Sequence, residues 1–468
     1  MLAALTMVGM PAAAQTVESA YFTEGFQYRH SLNPAFGSDR KGYVAMPFFG
    51  NINAGTSANI GVDNILFNRG GKTHTFLSPT VALDEFMSGI NGNNRISEDF
   101  HMQLLGFGFR AFKGFNTVEL NLRENLAVNM PGDLFELAKA GLQNQTYDLS
   151  GLGVNAKAYA ELALGHSHQL NDKWRVGGKV KFLVGAGSLN AKVSDATVTL
   201  GENGYVAKVD AKLDGSIKGL QYLTKTEEVK EPVYNEAHTQ VVGYQTKQRS
   251  YINDLDVDGT GINGFGVAID LGAEYRINED WAVSASLLDL GFISWSENHR
   301  AETSTYVNTD EYVFDTDGSS QTSFGDAFEV LGDEIMKVYQ LEDKGENSRT
   351  AMLGATMHVG VEYTTPFYRK LKFGLLNTTR IQGDYSWTNF RLSANVAPLK
   401  ALSISGNIAM GTYGFGLGAI IDIHCTGFNL FLASDRTFSS LSKQGIPMSG
   451  NGNVSIGINF PLGKAESK

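Results

Sequence analysis

Between Gly264 and Trp295 the chain alternates apolar with polar or small residues. Phe265, Val267, Ile269, Leu271, Ala273 and Tyr275 take one phase; Gly266, Ala268, Asp270, Gly272, Glu274 and Arg276 take the other. Successive strand side chains point to opposite faces, so this is a strand with one apolar and one polar face. Asn278, Glu279 and Asp280 form a polar turn, and Trp281, Val283, Ala285 and Leu287 begin the return strand. After Leu287 the apolar phase slips to Leu288, Leu290 and Phe292, which predicts a bulge. The arms have the length of membrane-spanning strands, which need about 9–11 tilted residues.

The same pattern recurs near 50–62, 100–112, 114–128, 152–170, 173–190, 264–277, 280–296, 351–365, 370–381, 385–397, 400–411, 414–425, 427–434 and 452–461. That makes about fourteen strands, an even number, as single-chain bacterial barrels have. Short turns at Lys113-Gly114, Asn171–Lys173, Asn278–Asp280, Pro366–Lys370, Pro398–Lys400 and Cys425–Gly427 alternate with long loops over 63–99, 129–151, 191–263 and 297–350. Short periplasmic turns and long outer loops are the habit of transmembrane barrels. Trp174 and Trp281, each opening a strand after an Asn-led turn, suit an interfacial aromatic girdle. Pro131 opens a helical stretch, GDLFELAKAGL, and Phe324–Tyr339 carries a second one. Alternation in ATVTL and YVAKVDAKL suggests strands extended above the membrane within 191–263. The predicted fold is therefore all-β: a transmembrane antiparallel β-barrel with an N-terminal plug segment and short helices in the extracellular loops.

Ahead of the barrel, residues 1–14 resemble a secretory signal that lacks its basic start, with cleavage near Ala14–Gln15. Residues 15–42 are irregular, broken at Asn33-Pro34 and rich in aromatics. Two placements fit them. One is a plug or latch in the barrel mouth, built on Tyr21, Phe22, Phe26, Arg29 and Phe36, with Arg29 and His30 reaching lumen carboxylates such as Glu274 or Asp422; the other is a periplasmic tail. The barrel then occupies 43–468.

Composition agrees with long strands: 53 Gly, 10 Pro and 11% aromatic residues. A net charge of −11 argues against nucleic acid as partner. A mean hydropathy of −0.15 is compatible with lipid contact, since only alternate strand residues meet lipid. With a single Cys425 the chain is no disulfide scaffold. Localisation in an outer membrane, both mature termini periplasmic, follows as the expectation.

Leu32-Asn33-Pro34-Ala35-Phe36, Ser286–Ile293 with Trp295, and Gly457–Gly463 resemble an uncharacterised family of outer-membrane barrels. That family is similar to the FadL-like transporters and to the PorV and PorP/SprF-like barrels of type IX secretion. The resemblance implies architecture, not a substrate, and brings no catalytic residues.

With apolar phases toward lipid, the lumen receives Glu119, Arg123, Lys157, Glu161, Lys179, Lys181, Asp270, Glu274, Arg276, His358, Glu362, Arg391, Asp422 and His424. Mixed signs in a confined interior predict pairing, since an unpaired buried charge is costly; a wide single-sign pore is disfavoured. Asp254, Asp256, Asp258 and Gly259 imitate a calcium loop, but Phe265 stands where the bidentate Glu belongs, leaving a solvated acidic loop or a weak surface site. The Asp315–Gly318 run is weaker. His166 and His168 share a strand face without a third ligand. No nucleophile elbow or phosphate loop is present, so no enzyme and no cofactor are expected.

Two functions remain open: passage of hydrophobic small molecules across the outer membrane, or a non-transporting barrel that anchors or assembles surface or secreted proteins. The interior separates them. An apolar pocket under the loops supports transport, and wall-to-wall ion pairs support a scaffold.

Overall fold

The computed structural model describes residues 17–38, 40–141, 145–201, 204–234, 241–303, 307–308, 341–436 and 450–463. The expected signal segment 1–14, the helical stretch Phe324–Tyr339 and the Asp315–Gly318 run lie outside them.

The wall is a closed antiparallel barrel of 14 strands. Asn93–Ala111, Gly114–Pro131, Gly153–Gln169, Trp174–Gly201, Gly264–Arg276 and Trp281–Thr303 succeed one another around it. The next position is shared by two segments. Leu341–Met352 pairs with the upper part of Trp281–Thr303, and Ala355–Thr364 with its lower part. Leu371–Ile381, Trp387–Leu399, Leu402–Gly411, Gly414–His424, Asn429–Ser434 and Gly452–Leu462 complete the run.

Closure is made by a strand in two pieces. Gly42–Ala45 and Ile52–Ala58 each pair with both Gly452–Leu462 and Asn93–Ala111. The first strand thus starts before the expected residue 50. Pro47 has no N–H to give the ladder, and Phe48 takes a φ of +63°, so the strand swings outward between its two pieces. Among the described residues the ring closes without an unpaired wall edge, the condition a barrel must meet to stand in hydrocarbon.

Local chemistry explains the turns. Phe112 and Lys113 both have positive φ, 55° and 60°, in a two-residue hairpin between Ala111 and Gly114. Such a turn matches the right-handed twist of its strands. At two other turns one asparagine does the same work. Asn171 Oδ1 accepts the N–H groups of Lys173 and Trp174, and Asn278 Oδ1 those of Asp280 and Trp281, all at 2.9 Å. Each tryptophan then packs on a tyrosine of the neighbouring strand, Trp174 on Tyr275 and Trp281 on Tyr363, with ring centres 4.7 Å apart.

Alternation sorts the faces. Phe265, Val267, Ile269 and Leu271 are exposed on the outside, while Ala268 and Asp270 are buried inside. The predicted bulge is present: Ile269 pairs with Leu290 and Leu271 with Leu287, leaving Leu288 and Asp289 opposite the single residue Asp270.

Opposite the turns, the described parts of the long loops are built into further strands and helices. Gly204–Ile217 sits above Gly264–Arg276, filling the same place between Trp174–Gly201 and Trp281–Thr303. A long hairpin, Leu220–Tyr234 with Val241–Val257, follows it. Helix Gly132–Ala140, started by Pro131, packs with Leu83–Met87 over a dry core that includes Phe76, Phe86, Leu134, Phe135, Tyr147 and Val198. Phe76 and Phe86 stack at 4.5 Å.

Candidate functional site

The lumen contains two built layers. Toward the turns it holds residues 17–38, which pair with no wall strand and carry only two single-turn helices, Glu18–Ala20 and Arg29–Ser31. The segment runs from beside Arg391 and Asp435 down to the turn-side rim, where it joins Gly42–Ala45. Tyr21, Phe22, Phe26, Tyr28 and Phe36 are buried with Tyr43, Phe115 and Phe431. Their rings meet edge to face, at 4.9 Å for Phe26 on Phe431 and 5.2 Å for Tyr21 on Phe36, a favoured arrangement of ring quadrupoles. The wall is pared to glycine where the segment passes. A Cβ on Gly374 would lie 2.1 Å from Phe22, and one on Gly177 2.0 Å from the Pro34 carbonyl.

Arg29 and His30 do not reach Glu274 or Asp422. Arg29 Nε donates to the Tyr21 carbonyl at 2.9 Å and its guanidinium lies 4.2 Å over the Phe36 ring. His30 instead meets Lys179 and Tyr43, at 3.1 and 3.0 Å, and the lumen carboxylate near it is Glu119, at 3.8 Å. A lysine ammonium only donates, so Nδ1 of His30 accepts and Nε2 carries the hydrogen. Burial first, then the Lys179 charge, presses His30 down to about 3, and it is neutral.

Above this segment, a layer of charges lines one side of the lumen, on five neighbouring strands. Lys179 Nζ lies 2.6 Å from Glu119. Arg123 meets Glu161 at 3.3 Å, and Lys181 stands 4.0 Å from Glu161, 2.9 Å from Asp270 and 2.5 Å from Asp289. Asp289 is the bulge residue, held at a φ of +58° with its N–H donated to Asp270 Oδ1 at 2.8 Å. The extra residue is thus what turns a second carboxylate inward onto Lys181. Lys157 is buried and donates to the Leu353 carbonyl.

The other inward candidates lie apart from this layer. Glu274 pairs with Arg175 at 3.8 Å and Glu362 with Lys372 at 3.2 Å, while Arg276 is exposed at the turn-side rim. Arg391 holds Glu18 at 2.8 Å. Asp422 is 2% exposed, and its Oδ2 meets no hydrogen-bond partner among the described residues. Ser286 and His358 lie 3.2 Å apart, and Ser403 and His424 3.1 Å apart. Charged groups that escaped the sequence reading include Asp289, Glu18, Asp435 and Arg436. For Asp289 the phase slip at Leu288 was the available signal; Glu18 and Asp435 stand in irregular chain and gave none.

The acidic run resembling a calcium loop is largely strand: Asp254 and Asp256 belong to Val241–Val257 and are exposed, with Asp258 just beyond. An extended strand sends alternate carboxylates out side by side instead of around an ion. His166 and His168 stack at 5.9 Å, and His166 Nδ1 is 2.9 Å from Asn116 Oδ1. Among the described residues no three His, Cys, Asp or Glu side chains are grouped to hold a metal. On the loop side, Asp214 takes hydrogen bonds from Arg300 and Asn298, both at 2.9 Å. Burial raises its pKa, but these contacts outweigh that and hold it below the usual carboxylate value.

Known structures with similar shapes include the toluene transporter TbuX of Ralstonia pickettii, at 8% identity over 97% of this chain and 96% of that one, TM-score 0.40. They also include the toluene transporter TodX of Pseudomonas putida, at 8% over 96% and 98%, TM-score 0.41. A third is a Pseudomonas aeruginosa FadL homologue, at 10% over 96% and 98%, TM-score 0.36. A search of curated proteins finds no match. The model of the family of unknown function DUF5723 matches residues 34–435, and the chain belongs to that family.

Proposed function

We propose that this protein is an outer-membrane barrel, closed at rest, that anchors its loop-side superstructure and serves as an assembly partner for surface or secreted proteins. The supporting observation is the charge layer along the inner wall of five neighbouring strands, where Glu119 pairs with Lys179 and where Arg123, Glu161, Lys181, Asp270 and Asp289 form one buried cluster. A cavity beside Phe22, lined also by Lys370, Lys372, Asn395 and Ile404, has about 10 Å³, the room of a single water. The short-turn end faces the periplasm in this reading, because long, structured loops belong outside. Protease added to intact cells is expected to cut in the hairpin of 220–257 and to spare the Asn278–Asp280 turn; the reverse pattern overturns the orientation.

A second reading, gated passage of hydrophobic small molecules, is favoured by the aromatic segment at the turn-side end, which no strand pairing ties to the wall. Planar-bilayer conductance of a chain lacking residues 17–36 separates the two. A folded, silent barrel is expected if the charge layer is the barrier. Conductance steps absent from the intact protein would sink the closed-anchor reading and make residues 17–36 the plug of a transport route.

A further inference from the structure

Residues 17–38 are held by contacts of the kind that recognise a peptide. Asp435 accepts the backbone N–H groups of Glu18 and Ser19, at 2.9 and 2.5 Å, and the Ser19 hydroxyl as well. Arg391 grips the Glu18 carboxylate through Nη2 at 2.8 Å and Nε at 3.3 Å, with Asn389 Nδ2 at 3.3 Å. Farther down, three wall serines donate to segment carbonyls: Ser403 to Glu24 at 2.6 Å, Ser286 to Leu32 at 2.7 Å and Ser167 to Ala35 at 2.8 Å. Tyr21 and Ser284 share a hydrogen bond of 3.1 Å, and Phe22 rests on Gly374. Backbone groups of the segment are met by wall side chains, and none enters the wall's ladder.

The electrostatics ask for an anionic occupant. Arg391, Arg436, Asp435 and Glu18 are each at most 4% exposed. Two guanidiniums, Arg391 and Arg436, share this site with the Asp435 carboxylate, just past the strand Asn429–Ser434, and the second carboxylate comes from the segment. With Glu18 withdrawn, a buried positive charge would be left unpaired, which is costly.

We propose that the lumen is a peptide-binding site whose resident ligand is the chain's own residues 17–36. The ligand class is a short acidic–aromatic peptide, offering a carboxylate to Arg391, two successive amide N–H groups to Asp435, and rings to the niches at Gly374 and Phe431. This goes beyond the anchor reading and does not depend on conductance.

Exchange in trans tests it. A protease recognition sequence inserted after Ser38 lets the full chain fold and insert before it is nicked. Excess labelled synthetic peptide of residues 17–36 is then added over a long incubation. The nicked barrel is expected to take it up saturably, one per barrel, with unlabelled peptide competing. A Glu18→Gln peptide should bind about tenfold or more weakly, since hydrogen bonds to charged groups contribute about 1.5–3 kcal/mol and 1.4 kcal/mol is tenfold. In an Arg391→Gln barrel the two peptides should bind alike, which a merely structural arginine would not produce. A nicked barrel that stays folded but takes up no peptide overturns the proposal, as does one that unfolds when the segment leaves or binds both peptides equally with Arg391 intact.

Discussion

Replacing Lys181 with Met is expected to destabilise the folded barrel by about 3–5 kcal/mol, the usual cost of removing one partner from a buried ion pair. Lys181 is 3% exposed, and its ammonium stands between Asp270 and Asp289, with Glu161 beyond. Met fills nearly the same volume, so lost packing is minor and the effect comes from carboxylates left facing one another. Asp289 also sits in the left-handed region, a conformation that persists only when its surroundings enforce it. Urea titration followed by the mobility of folded and unfolded forms on unheated gels measures the change. Adding Asp289→Asn to Lys181→Met should recover part of the loss, because one of the stranded charges is gone. A single-variant loss below about 1 kcal/mol, in the range of exposed pairs, would show that water screens the cluster and that the lumen is wet there.

Ile269→Arg is expected to cost about 2–4 kcal/mol, the depth-dependent penalty for a cation on a barrel's lipid face. Ile269 is exposed on the outer face, one residue from Asp270, which is buried inside and bonded to Lys181 and the Asp289 N–H. Asp270→Asn should be the milder change. Asparagine keeps an acceptor for the Asp289 N–H, and Lys181 keeps Asp289 as its counter-charge. Refolding into lipid vesicles across a denaturant series compares the two. Near-equal, small effects would mean that the outer face of Gly264–Arg276 does not meet hydrocarbon.

The two substitutions touch neighbouring residues, and only one of their environments was legible in advance. That Ile269 faces outward and Asp270 inward follows from period-two alternation, because a strand offers each side chain one of two faces. The bulge was legible too, since the slip from Leu287 to Leu288 cannot be accommodated by a regular strand. Its consequence was not. Which charge Asp289 meets depends on Lys181, which belongs to Trp174–Gly201, on the far side of Gly264–Arg276, and pairs with Ala268 in register. Register between strands far apart in sequence is not written in either strand alone. His30 carries the same lesson. A lumen carboxylate was expected beside it, and one is there, but it is Glu119 at 3.8 Å, with Lys179 and Tyr43 closer, because the path of an irregular segment is set by where the wall is pared to glycine.

By itself the sequence determined the strand number, the alternation of short and long connections, the Asn-led turns before Trp174 and Trp281, and the face each strand residue takes. These are local properties: side-chain alternation, turn chemistry and hydrophobic period act over a few residues. Only the tertiary structure decided that residues 17–38 lie inside the lumen, that Glu18 meets Arg391 and Asp435, and that Lys181 gathers Asp270 and Asp289. Those contacts join groups hundreds of residues apart, or across a register that closure of the ring imposes. No local pattern encodes them, because their energy exists only once the barrel has excluded water from its interior.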